Sequence, residues 1–142
     1  MMEPSKLQRH EIIENFATAH AENVADAAVM LWTQMATLIV SIVGEGGFHS
    51  LYARSLFLAQ PGYPWLAAGA LSPQKDQRFT ALKNCLEAQT PAQASAGNSL
   101  LLITFTDVLA SLIGEELTTS MLRSAWGIDA SDQAEKEFKN ES

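Results

Sequence analysis

Hydrophobic residues recur at helical intervals along most of this chain, and nowhere do they alternate over a stretch long enough to build a sheet. Ile12, Ile13 and Phe16 share one side of a segment whose Gln8, Glu11, Glu14 and Asn15 fall on the other. That pattern predicts an amphipathic helix from about Ser5 to about His20. From Ala27 to Gly44 there are eighteen residues without a charge, a length that touches the lower limit for a membrane span. Thr33, Gln34, Thr37 and Ser41 interrupt the run, however, and the nearest cations are Arg9 and Arg54, so the flanking charges that anchor a span are missing. The expectation is a helix buried inside a soluble bundle, with no membrane span.

Glu45-Gly46-Gly47 breaks the pattern, and Phe48 to Ala59 resumes it. Pro61-Gly62-Tyr63-Pro64 is a loop by its chemistry, with Trp65-Leu66 returning to the core. Ser72-Pro73 reads as an N-cap and first turn, opening a helix that runs to about Gln89, and Thr90-Pro91 repeats that grammar. A further helix is predicted over roughly Asn98–Ile113, with Leu101, Phe105, Val108, Leu109 and Leu112 facing the core. Glu115–Trp126 follows, with Leu117, Met121, Leu122 and Ala125 inward. After Gly127 the composition shifts to five acids, two lysines and an isolated Phe138. The chain is therefore expected to be all-α, a single helical bundle of five or six helices over residues 1–127, with an acidic, flexible tail over 128–142.

A shift of seventy residues brings two segments into register. Met30-Leu31 to Gly44-Glu45 lies over Leu100-Leu101 to Gly114-Glu115, and Ser41-Ile42-Val43-Gly44-Glu45 matches Ser111-Leu112-Ile113-Gly114-Glu115. Each half reads as a long apolar helix, a Gly-Glu break and a shorter helix carrying one arginine, Arg54 or Arg123. Two such hairpins facing each other would form a bundle with an internal pseudo-twofold repeat. Helical hairpins share composition, so chance is the competing explanation. The long helices also carry matching weakly polar stripes, Gln34, Thr37, Ser41, Gly44 and Thr104, Asp107, Ser111, Gly114, read as a close-packed seam between them.

Composition narrows the classes of function. With 142 residues, 47% hydrophobic, the chain can bury a core without disulfides or metal, and disorder is excluded. A net charge of −7 argues against nucleic acid, whose phosphates demand a basic footprint. The lone cysteine, Cys85, excludes a disulfide framework and suits a reducing cytoplasm. The three histidines lack the Glu-x-x-His pairs of bundle metal sites, so neither metal nor cofactor is expected. Gly44-Glu45-Gly46-Gly47 lacks the Gly-Lys-Ser/Thr of a phosphate loop and reads as a hinge.

Asp107 is the most informative single residue. A carboxylate between Phe105 and Val108 must find a partner, reach solvent or take up a proton, and Arg54 and Arg123 are the expected partners. Tyr63 and Trp65 sit on a proline-stiffened loop, which suits either an interaction hot spot or a lid over the bundle end. The resulting expectation is a non-catalytic regulatory or protein-interaction module, self-associating as a homodimer. The alternative is a small-molecule binder holding an apolar or aromatic ligand between the long helices, against Trp32, Phe105 and Asp107.

Overall fold

The computed structural model describes residues 4–19, 23–74 and 77–126; the tail 128–142 lies outside them. Five α-helices follow one another: α1 (Pro4–Ala19), α2 (Val24–Ala59), α3 (Thr80–Glu87), α4 (Pro91–Ile113) and α5 (Glu115–Ala125), with a 3-10 turn at Pro64–Ala68. Among the described residues there is no strand, and the fold is an all-α helical bundle. The largest internal interface joins α2 to α4, the two apolar helices.

α2 is not a straight rod. Gly44 sits inside it at φ 84°, ψ 168°, a backbone region essentially restricted to glycine. Trp32 and Tyr52 are twenty residues apart, about 30 Å along a straight helix, yet their ring centroids lie 5.3 Å from each other. α2 therefore folds back at Gly44 into two arms, 24–43 and 45–59. The break is one residue wide: Gly46 and Gly47 are helical, and the helix restarts at Glu45. Gly114 repeats the device between α4 and α5 at φ 97°, ψ 153°, and α5 opens on Glu115. These two are the described residues with positive φ.

Folding back brings aromatic rings from both arms of α2 onto one centre. The Phe105 ring lies 5.3 Å from Trp32 and 5.5 Å from Phe48, and Phe79 closes on Trp32, Phe48 and Tyr52. All five rings are buried. Their polar edges are satisfied: Trp32 Nε1 donates to Asn98 Oδ1 at 3.0 Å, and the Tyr52 hydroxyl donates to the Gly69 carbonyl at 2.7 Å. Trp126 Nε1 donates to the Leu31 carbonyl at 3.2 Å and ties the end of α5 to α2.

Several sequence expectations change here. Thr90 caps α4, accepting from the Gln93 amide at 3.2 Å, but the helix starts at Pro91 and not near Asn98. Ser72-Pro73 opens no helix. The Ser72 hydroxyl accepts from the Gln74 amide in a local turn, and α3 begins only at Thr80. No large apolar side chain lies between Leu71 and Phe79 to anchor a turn on the core. Leu112 is 66% exposed and Leu117 is also exposed, while Thr118 and Thr119 are buried. Thr118 is accepted in the interior because its hydroxyl donates to the Gly114 carbonyl at 2.8 Å. The weakly polar stripe on α2 does not pack as a seam: Gln34, Thr37 and Ser41 are exposed, as is Ser111 on α4. α2 and α4 are each long and apolar enough to cross a membrane.

A Cβ at Gly44 or Gly114 would meet nothing within 4 Å, so backbone conformation and not space demands glycine there. Gly44→Ala and Gly114→Ala are each expected to lower stability by about 1–3 kcal/mol in chemical denaturation.

Candidate functional site

The charged centre of the protein lies between α1, α4 and α5. Arg9 sits one turn before Ile12 and Ile13, on the buried side of α1, and its side chain has no solvent exposure. Glu115 takes the guanidinium side-on, with Nε donating at 3.3 Å and Nη2 donating to both carboxylate oxygens at 3.0 Å. Nη1 donates to Thr106 Oγ1 at 2.6 Å and lies 2.7 Å from Asp107 Oδ1. His10 Nε2 reaches the same Asp107 oxygen at 3.0 Å. The acceptor is a carboxylate, so Nε2 carries the hydrogen. Partial burial would raise the Asp107 carboxyl, but hydrogen bonds from His10 and Arg9, together with the guanidinium charge, outweigh it and hold the group below its ordinary value.

Arg9 and His10, rather than Arg54 or Arg123, are thus the partners of Asp107. Arg54 is exposed on the second arm of α2. Arg123 is half-buried on α5, and its Nε makes no hydrogen bond among the described residues. Trp32 and Phe105 are packed edge-on in the core, where they line no described recess. Tyr63 and Trp65 meet edge to face at 5.9 Å and lie against α4 at Gly97, where a Cβ would come within 2.5 Å of the Trp65 ring. This loop plugs the bundle, and a glycine makes room for it. Gly97→Ala is expected to displace Trp65 and cost about 1–3 kcal/mol, visible as altered near-UV circular dichroism and an earlier denaturation midpoint.

Cys85 is buried, and its thiol donates to the Leu82 carbonyl at 3.2 Å. Burial pushes the thiol up despite backbone hydrogen bonds that pull the other way, the opposite of what a nucleophile needs. Among the described residues, no group of three His, Cys, Asp or Glu side chains is placed to hold a metal ion.

A second charged feature was not marked by sequence motifs. Between the first arm of α2 and the segment entering α3 lies a groove of about 400 Å³. Val29, Thr33, Ala36 and Val40 form one wall at helical spacing, and Arg78, Phe79 and Lys83 stand opposite. Arg78 Nη2 donates to both Glu45 carboxylate oxygens at 3.0 Å, and its guanidinium carbon lies 5.5 Å from the centre of the Phe48 ring. The available signal was local: Lys75, Arg78 and Lys83 fall within nine residues of an otherwise acidic chain.

Removing Arg9 leaves Glu115 without its guanidinium partner and Asp107 with His10 alone. Arg9→Ala is expected to destabilise by about 3–5 kcal/mol. Because the Asp107 carboxyl is held low in the folded state, its contribution is present above the ordinary carboxylate value, near pH 4, and fades as pH falls through the lower folded value. Denaturation midpoints of wild type and Asp107→Asn are therefore expected to differ at about pH 6 and to draw together progressively as pH falls below about 4.

Compared with known proteins, the chain matches no family model, no curated sequence and no solved structure.

Proposed function

We propose that this chain is a non-catalytic regulatory module that works through protein interaction and self-associates. Its exposed apolar surface carries the reading. Phe57 is 72% exposed at the end of α2, beside half-exposed Leu58. Together with Gln60, Pro61 and Pro64 they border an almost wholly apolar recess of about 410 Å³. Met30, Ile42, Leu112 and Leu117 add further large apolar side chains in contact with solvent. An aromatic side chain beside a rigid proline-bordered recess suits a contact hot spot.

Two further features support it. The side chains with reactive potential, Asp107 and Cys85, are committed to an ion-pair clasp and to the core. The net charge of −7 disfavours nucleic acid. The reading keeps the protein in a reducing cytoplasm, with the apolar faces of α2 and α4 serving bundle and partner rather than lipid. It also treats the halves 30–59 and 100–125 as copies of one unit, because Gly44 and Gly114 share a backbone conformation that the sequence register had paired. The small-molecule alternative meets filled space at Trp32 and Phe105 and is carried instead by the groove beside Arg78.

Sedimentation velocity of the full chain over a wide concentration range tests the proposal. Wild type is expected to self-associate, and Phe57→Asp to weaken that association by tenfold or more. A wild type that stays monomeric throughout removes self-association from the reading.

A further inference from the structure

We infer that the groove between the first arm of α2 and α3 is a binding site for a small anionic amphiphile, an organic acid with an apolar body. The inference is independent of the self-association reading and uses a different face of the molecule. A volume of about 400 Å³ falls in the range of small-ligand sites and is too small for more than a few residues of a peptide. Its lining divides by chemistry. Val29, Ala36, Val40 and Phe79 offer an apolar bed, while Arg78 and Lys83 supply two cations against one acid, Glu45. Asp26 pairs with Lys83 from beside the groove, so the described charges balance there, and an anion is drawn by the donors the two cations can still offer and not by a net positive field.

Both cations retain capacity for a ligand. Glu45 engages Arg78 through Nη2, and no described residue takes the donors at Nη1 and Nε. A guanidinium whose Glu45 pair and Phe48 stacking already fix its position presents those donors at little further entropic cost. Lys83 pairs with Asp26 at 3.2 Å, but the two side chains are 41% and 76% exposed. Such a pair is weakly held, so a ligand carboxylate displaces Asp26 readily. Thr33 and Thr80 add hydroxyls to the lining. A neutral apolar ligand would use the bed alone and leave the spare Arg78 donors unused, whereas an inorganic anion would leave the bed exposed.

The test uses the full chain and 8-anilinonaphthalene-1-sulfonate, an aromatic body with one anionic group, followed by fluorescence titration and calorimetry. Binding is expected at one site per chain, weakened about tenfold by Lys83→Gln and abolished by Thr37→Trp, which fills the groove from an exposed helical position. Phe57→Asp is expected to leave binding intact, which separates this site from the apolar recess at the end of α2. The uncharged N-phenyl-1-naphthylamine is expected to bind more weakly and to ignore Lys83→Gln. Loss of dye binding in Phe57→Asp with retention in Thr37→Trp overturns the site. Binding that Thr37→Trp abolishes but Lys83→Gln leaves unchanged overturns the anionic class, and absence of binding at millimolar dye overturns both.

Discussion

One buried cation holds the ends of this bundle together. Arg9 enters the interior from α1 and binds Thr106 and Asp107 of α4 and Glu115 of α5. Taking a guanidinium out of water is costly, and only near-complete pairing offsets it. The side-on contact with Glu115 provides that pairing in a geometry a lysine cannot reproduce. Because the acceptors belong to two different helices, α1 can dock in one register. Apolar contact alone, through Ile12 and Ile13, would leave the helix freer to slide.

The placement of Glu115 connects this clasp to the glycine breaks. A positive-φ glycine stops one helix and leaves the first amides of the next unpaired, and a glutamate at that point favours the positive end of the new helix. Burial of the glutamate then requires a cation from elsewhere in the chain. At Gly114 the cation is Arg9, and at Gly44 it is Arg78, which reaches Glu45. Each break is followed by a glutamate and locked by an arginine from an element outside its own hairpin. Folding of α2 onto itself and docking of α1 thus share one solution.

Much of this was readable from the chain, for reasons that separate local from nonlocal information. Gly44 and Gly114 announced themselves because a glycine ending an apolar run has few other uses, and Thr90-Pro91 because capping chemistry is confined to four residues. Ser72-Pro73 carries the same local signal without a helix behind it, since the polar residues that follow have nothing to bury. Leu112 and Leu117 were assigned inward by periodicity, yet their neighbours Ile113 and Thr118 face the core in their place. Arg9 was passed over because a cation ahead of an amphipathic helix reads as solvated. Its spacing from Ile12 and Ile13 placed it on the buried side, but that reading needs Glu115, more than a hundred residues away, to be credible. The groove beside Arg78 is likewise nonlocal, made where two segments forty residues apart happen to face.

The exposed apolar residues follow from the same architecture. One turn before each glycine break, Ile39 and Leu109 are buried; three residues later, Ile42 and Leu112 are in solvent. Val43 and Ile113, directly before the glycines, still pack on the core, so Ile42 and Leu112 are exposed because they point away from it and not because the arms outrun it. Exposed apolar side chains of this kind cost solubility in a monomer, and a chain with 18% charged residues has limited means to mask them. Meanwhile the ionic groups that might have served chemistry at Arg9, Asp107, Glu115, Glu45 and Arg78 are drawn into clasps that hold the breaks. Arg78 serves twice, fixing Glu45 after the break at Gly44 and standing in the wall of the groove.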